Sequence, residues 1–380
     1  MMNNTAAMQN AQLTVVWSYI RCGKLKMTDI SISDEEIIES IIGFDALYES
    51  MYKCKKGVLW KNSTAYFFLH GIEQTLKLEN ELKSGTYVAK EPKCFTLTHP
   101  KKRDAVSIAF RDRVYQRSLN DNVLYPVMTA SFISENFACQ KGKGTDLARD
   151  TLDRFLRKMY RKYGLNGYVL QGDVHGYYPN MNHKKTEDKF EAKLPRQAFQ
   201  MVQDVLRHQY GGEKGYNPGS QMIQIAGISY LDKFDHFVKE QLHIHWYLRY
   251  MDDFILIHPD KEYLEYCKNK IAEFMKNEEC ELHPKKTKLY KVEDGIPFLG
   301  FTHRLTATGK VVRIIDPANV KSERKKLRRE VALVHKGKMD KRKVDEGFRC
   351  WKAHAEKGNS FKLIQRMEEY YKTLWEEQKK

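Results

Sequence analysis

Two periods of apolar and polar positions run along this chain, and each predicts its own kind of element. Between residues 145 and 163 the apolar positions Leu152, Phe155, Leu156, Met159 and Tyr160 recur three or four residues apart. That spacing is one face of a helix, and Gly164 ends it. Ile72, Leu76 and Leu82 carry a similar repeat within residues 12–90, which read mostly as helix, with Gly85 as a C-cap. Helices are also predicted over 184–210 and 221–242, and through Tyr263, Leu264, Cys267, Ile271, Phe274 and Met275. A last helix begins near Ser360, with Phe361, Ile364, Met367, Tyr371 and Leu374 on its apolar side.

The period-two signals are short. Cys94 to Thr98 and Ala105 to Ala109 flank a basic turn, His99-Pro100-Lys101-Lys102-Arg103, and predict a β-hairpin within 91–115. Gly167 to Asp173 predicts a strand. Trp246 to Arg249 and Phe254 to Ile257 predict two more, and residues 211–220, rich in Gly, predict a loop. The resulting β-α-β-β-α order from 167 to 278 predicts an α+β, ferredoxin-like unit, an antiparallel sheet with helices on one face.

Length and composition narrow the class. With 380 residues, 42% hydrophobic and 30% charged, the chain is long enough for two or three packed domains. Its 65 Lys and Arg exceed 49 Asp and Glu, a formal charge of +16 that favours a polyanionic partner such as nucleic acid. The surplus concentrates after residue 306: Lys321 to Asp345 holds eleven Lys or Arg against four Asp or Glu and predicts a basic helical domain. Seven scattered cysteines (22, 54, 94, 139, 267, 280, 350) form no C-x-x-C pair, which disfavours a zinc ribbon or a disulfide framework and suits a reducing cytoplasm. No apolar run is long enough to span a membrane. Met1 to Asn10 is a mostly polar start without a signal-peptide core.

The candidate chemistry sits at Tyr250-Met251-Asp252-Asp253, between the paired strands. Two adjacent carboxylates at a tight turn repel each other unless a cation neutralises them, and a hard divalent cation prefers oxygen ligands. Asp173, at the end of its own strand, supplies a third carboxylate. Gathered at one sheet edge, the three would suit two Mg²⁺ ions, with Mn²⁺ as an alternative. Taken alone, Asp173 reads more simply as a turn or helix cap. His243 and His245, two apart on a strand, could face one metal, but ordinary strand residues are the simpler reading. Trp351 reads as core.

These segments resemble the motifs of reverse transcriptases, in the family's order. Tyr250-Met251-Asp252-Asp253 resembles the catalytic box. Asp173-Val174-His175-Gly176-Tyr177-Tyr178 resembles the first catalytic motif, where an aromatic follows the Asp by five residues. Arg103 through Gln116 resembles the fingers motif that grips the incoming nucleotide. Lys141-Gly142-Lys143-Gly144-Thr145 resembles a segment of bacterial members. Leu282-His283-Pro284-Lys285-Lys286-Thr287 resembles the Lys-bearing motif, and Phe298-Leu299-Gly300-Phe301 the primer grip.

The resemblance implies a right-hand polymerase: a helical N-terminal extension and the start of the fingers over 1–90, fingers over 91–166, palm over 167–305 with an insertion at 184–218, and a basic helical thumb over 306–380. It implies that Asp173, Asp252 and the Val174 carbonyl hold the metals, with Asp253 in support. Tyr178 would exclude a ribonucleotide's 2′-hydroxyl. Lys101, Lys102 and Arg103 would contact the triphosphate, and Lys286 would protonate the pyrophosphate. Phe298, Leu299 and Gly300 would hold the primer. Gln224 would pack near the templating base, although Ile223 stands where bacterial relatives carry Ser.

No residues remain for an RNase H, integrase or zinc-bearing endonuclease domain. What is left resembles compact bacterial enzymes of two groups, the defence-associated (unknown-group) and the diversity-generating retroelement reverse transcriptases. The departure at Ile223 leans to the first. The implied partners are a structured non-coding template RNA, the DNA product and dNTPs, with a second protomer or an accessory protein as further candidates. An RNA-directed RNA polymerase and a non-catalytic RNA-binding protein are the competing classes, weighed against Tyr178 and the three carboxylates respectively.

Overall fold

The computed structural model describes residues 33–98, 103–217 and 219–377. The polar start, the part of the first helical stretch before residue 33, Cys22, Lys101 and Lys102 lie outside the described residues. In chain order the elements are helices α1 (Asp34–Ile42), α2 (Phe44–Cys54), α3 (Asn62–Leu69) and α4 (Gly71–Lys83), strands β1 (Lys93–Leu97) and β2 (Arg103–Ser107), and helices α5 (Phe110–Leu119), α6 (Tyr125–Thr129) and α7 (Thr145–Tyr163). They continue with β3 (Tyr168–Asp173), α8 (Tyr177–Asn180), α9 (His183–Glu191), α10 (Arg196–Gln209), α11 (Gln221–Tyr230), α12 (Asp232–His236), β4 (Trp246–Tyr250), β5 (Asp253–His258) and α13 (Lys261–Asn277). The last are β6 (Lys288–Lys291), β7 (Ile296–Phe298), β8 (Phe301–Leu305), β9 (Val311–Ile315), α14 (Pro317–His335), α15 (Lys341–Ala355) and α16 (Phe361–Glu377).

The chain divides into two compact units, one of residues up to 140 with 174–241 and 272–282, the other of 141–173, 242–271 and 283–380. The first is mainly helical. Helix α1 starts at a capping box in which Ser33 and Glu36 satisfy each other's backbone N–H. The predicted stripe on α4 is rotated. Ile72 and Leu76 are exposed, and α4 buries Gly71, Thr75 and Leu78 instead, because the neighbouring helices cover that other face. The hairpin β1–β2 pairs Lys93 with Ser107 through to Leu97 with Arg103, and the chain turns helical from Phe110. The stretches read as single helices are interrupted: 184–210 is α9 and α10, and 221–242 is α11, α12 and a wide turn over Phe237–Gln241.

The second unit holds a four-stranded sheet of order β4-β5-β3-β6, antiparallel at every pairing. With β3 first in sequence, this is the order of a ferredoxin-like sheet, as the element order predicts. Its middle is fully apolar: Val169, Leu170, Phe254, Ile255, Leu256 and Ile257 are all buried. Helix α7 lies as predicted, from Thr145 to a Gly164 cap with φ 62°. The region after 306 is not helical at once. Val311–Ile315 forms β9, so residue 306 falls in the turn of the β8–β9 hairpin, where the Thr306 hydroxyl bonds the Lys310 backbone. Helices α14 to α16 then pack on a core of Leu327, Val331, Val344, Phe348 and Trp351. Trp351 is core, as expected, and its Nε1 donates to Asn319 at 2.8 Å. Phe361, expected on the buried side of α16, is exposed, whereas Met367 and Leu374 of the same predicted side are buried.

The six described cysteines are free, and no described helix is long and apolar enough to cross a membrane. Because Leu256 is fully buried on the central strand β5, Leu256→Ala is expected to lower unfolding free energy by about 2–5 kcal/mol, measured as a fall in urea midpoint with unchanged slope.

Candidate active site

Antiparallel register brings the three carboxylates together. β3 ends at Asp173 and β5 begins at Asp253, and these two residues are cross-strand partners. The β4–β5 turn, Tyr250 to Asp253, places Asp252 beside them, with Met251 in the left-handed region at φ 60°. One residue before Asp173, Gly172 pairs with Phe254. A Cβ on Gly172 would lie 2.1 Å from the Phe254 ring, so only glycine lets that ring lie across β3 under the acidic edge. The Asp173 carbonyl accepts from the His283 N–H at 2.7 Å, which fixes the strand end against the segment leading to β6.

The trio's electrostatics follow from crowding. Burial and the neighbouring Asp252 and Asp173 push the Asp253 carboxyl up to about 7, and burial also raises Asp252. Lys286 answers part of this charge. Its Nζ donates to both Asp173 oxygens, at 3.0 and 2.8 Å, although the lysine side chain is more than half exposed. That hydrogen bond holds the ammonium's pKa above its usual value. Among the described residues no three His, Cys, Asp or Glu side chains stand in an arrangement ready to hold a metal ion. Here Asp173 is engaged by Lys286. The donor set nevertheless fits a hard divalent cation: all its ligands are oxygens, and burial and crowding raise two of the carboxyls, a cost that a bound cation would relieve. His243 and His245 precede β4 rather than lying on it, in irregular backbone with His243 at φ 45°.

The other expected residues are distributed as follows. Val174 is buried and bridges Leu282 in the first unit. Tyr178 also lies there, on α8, half-buried, and its carbonyl accepts from the Tyr216 N–H at 2.9 Å. Gln224 is half-buried on the first turn of α11, whose N-cap Ser220 accepts from the Ile223 N–H at 3.3 Å. Arg103 opens β2 opposite Leu97. In the same segment Asp112 is buried and accepts from the Tyr87 hydroxyl at 2.8 Å and the Lys90 N–H at 3.0 Å, tying the entry of the hairpin to α5. Phe298, Leu299 and Gly300 form the tight β7–β8 turn, Leu299 at φ 46° and Gly300 at φ 85°.

Two arginines escaped the sequence reading. Arg249 on β4 is fully buried, and its Nη1 donates to the Met251 carbonyl at 2.7 Å, bracing the turn that carries the Asp pair. Arg149 on α7 is buried too. Its Nη1 donates to the Leu299 carbonyl at 2.9 Å, and its guanidinium lies 4.9 Å from the Phe301 ring centre. The available signal for Arg149 was an arginine three residues before Leu152, on the apolar stripe of α7.

Residues 99–303, more than half of the chain, match the family described as reverse transcriptase (RNA-dependent DNA polymerase). The chain therefore belongs to the reverse transcriptase family, whose members are nucleotidyltransferases. No curated protein matches it. Among solved structures it is similar to telomerase from Candida albicans in complex with a TWJ fragment of telomeric RNA, at 11% identity and a TM-score of 0.43 over 68% of this chain and 55% of that one. It is also similar to apo telomerase from Candida tropicalis truncated from the C-terminal domain, at 14% identity and a TM-score of 0.44 over 64% of this chain and 60% of that one. The chain thus spans little more than half the length of these structures.

The trio sets a pH dependence. In the folded protein Asp253 keeps its proton to about 7, whereas an unfolded Asp loses it near ~4. Folding therefore binds an extra proton between those values, and metal-free stability falls as pH rises through them. In EDTA at pH 8, Asp253→Asn is expected to be more stable than the native protein by on the order of 1–3 kcal/mol, with no difference near pH 4. Urea titrations at the two pH values check this.

Proposed function

We propose that this chain is an RNA-directed DNA polymerase that joins deoxynucleotides by metal-assisted nucleotidyl transfer. The observation that carries this reading is the cross-strand pairing of Asp173 with Asp253 beside Asp252, inside the family match. In the proposed site, Asp173 and Asp252, with the Val174 carbonyl, would hold two Mg²⁺ ions, and Asp253 would support them. Mn²⁺ would fit the same oxygens. When bound, the ions would lower the pKa of the primer 3′-hydroxyl and neutralise charge on the leaving pyrophosphate.

The remaining roles belong to the chain's own groups. The primer oxygen attacks the α-phosphorus, the bond to the β-phosphate oxygen breaks, and the departing pyrophosphate takes a proton. Lys286 is the proposed donor, because its ammonium is held charged at Asp173. Lys101, Lys102 and Arg103 are the proposed triphosphate contacts, Arg103 through the forked geometry of guanidinium. Tyr178 is the proposed gate against a 2′-hydroxyl, Gln224 the proposed neighbour of the templating base, and Phe298, Leu299 and Gly300 the proposed primer support. The braced turn of Leu299, held by Arg149, supports that last role. The basic helices after residue 316 would follow phosphates of the template–product duplex, so binding should weaken steeply with salt.

The proposed template is a structured non-coding RNA, and the proposed setting is anti-phage defence. What supports this over mutagenic retroelement copying is Ile223, buried at the position where Ser is expected of the retroelement group. Sequencing the RNA and DNA that co-purify with the active protein and with its Asp252→Ala variant separates the two. A neighbouring variable repeat recovered as cDNA would overturn the defence reading.

On an RNA template with Mg²⁺, the protein is expected to incorporate dNTPs, and Asp252→Ala to abolish incorporation. Lys286→Gln should cost on the order of 10²-fold in kcat with a smaller effect on KM. Full biological activity in an Asp252→Ala, Asp253→Ala variant would instead indicate a non-catalytic RNA-binding protein. A native preference for rNTPs that Tyr178→Ala leaves unchanged would indicate RNA synthesis.

A further inference from the structure

Helix α11 carries a glycine in its interior, where helix formation disfavours one. Gly227 sits between buried Ala226 and Ile228. The reason is an adjoining ring. A Cβ at this position would lie 2.9 Å from the Tyr178 hydroxyl oxygen, 3.1 Å from Cζ and 3.2 Å from Cε1. The edge of the ring that carries the hydroxyl therefore rests against the helix backbone.

The backbone around Tyr178 is held in place. The buried neighbour Tyr177 donates its hydroxyl to the Gly227 carbonyl. The Tyr177 ring packs edge-on to Tyr230 at 6.3 Å and tilts onto Tyr178 at 5.6 Å. The Tyr178 carbonyl is tied to Tyr216. With α8 anchored to α11 in this way, a side chain at 227 is accommodated by lifting the Tyr178 ring, not by parting the two helices.

We propose that Gly227 is a specificity-determining position: the missing side chain sets how deeply the Tyr178 ring settles against α11, and so how much room the ring leaves for the sugar of an incoming nucleotide. This inference rests on the reading of Tyr178 as the sugar gate. Gly227 is a positioning residue, acting only through that ring.

The consequence is directional. An alanine raises the gate, so even a deoxyribose is crowded. Gly227→Ala is expected to raise the KM for dNTPs by roughly three- to thirty-fold with a smaller change in kcat, and to keep or strengthen rejection of rNTPs. Adding Tyr178→Phe removes the atom 2.9 Å away and should restore part of the loss. In a Tyr178→Ala background, Gly227→Ala should have no further effect on KM or on the dNTP/rNTP ratio.

The test is steady-state incorporation of dNTPs and rNTPs by the full chain on an RNA template, with thermal melts of each variant. An unchanged KM and sugar ratio in Gly227→Ala overturns the proposal, as does an equal loss with and without the Tyr178 ring. If Gly227→Ala alone is insoluble, the Gly227→Ala, Tyr178→Ala pair must fold, with a thermal melt like that of Tyr178→Ala alone. Failure of that pair shows that the ring is not what excludes a side chain. Absence of any DNA synthesis by the native protein overturns the polymerase reading itself. Sugar selection that survives Tyr178→Ala overturns the gate reading and this inference together.

Discussion

Repulsion among three carboxylates at one sheet edge is the constraint around which the second unit is organised. Asp173, Asp252 and Asp253 bring like charges into a partly buried space, and the carboxyl of Asp253 responds by holding its proton to about 7. Such an arrangement survives only if neighbouring groups offset it. Lys286 grips Asp173 with two hydrogen bonds, and buried Arg249 braces the Met251 carbonyl in the turn between the paired strands. The apolar middle of β3 and β5, buried on consecutive residues and so on both faces, then fixes the register, because a slip by one residue would exchange the side chains packed on each face. Core packing thereby holds together a cluster that electrostatics alone would disperse.

The same logic, rigid backbone around a demanding side chain, recurs at the β7–β8 turn. Leu299 and Gly300 both adopt left-handed backbone there, and the Arg149 guanidinium holds the Leu299 carbonyl while stacking near Phe301. Helix α7 is joined to the β8–β9 hairpin by further pairs. Asp153 takes His303 at 2.6 Å and the Arg313 Nε at 2.9 Å, and Arg313 reaches Asp150 at 2.5 Å. The result is a helix serving as a strut for a three-stranded sheet whose Phe301 and Ile315 also join the core of the following helices.

Much of this was legible before any fold was known. The ends of β3, β4 and β5 follow from apolar runs that stop at acidic residues, and their β-α-β-β-α order implies the antiparallel, ferredoxin-like sheet that is found. Helix α7 and its glycine cap follow from spacing alone. Errors arose where apolar residues did not face the core. Ile72, Leu76 and Phe361 are exposed, because periodicity gives a face but not what will cover it. Strand β9 was missed because five residues beside a long basic stretch carry too little pattern to outweigh composition.

Local chemistry along the chain thus determined the elements, the acidic positions and the family they belong to. Only the tertiary structure decided which groups meet. Pairing across β3 and β5 joins Asp173 to Asp253, and the Lys286 chain segment folds back onto Asp173 across 113 positions. Arg249 was invisible as a structural group, since an arginine at the end of an apolar run is indistinguishable in sequence from one that faces water, and for Arg149 the helical spacing gave its face but not its partner, the Leu299 carbonyl. The tight seat of Tyr178 against Gly227 was equally hidden: close approach of a ring to a helix backbone is a property of packing, and a glycine alone does not say what fills the space it leaves.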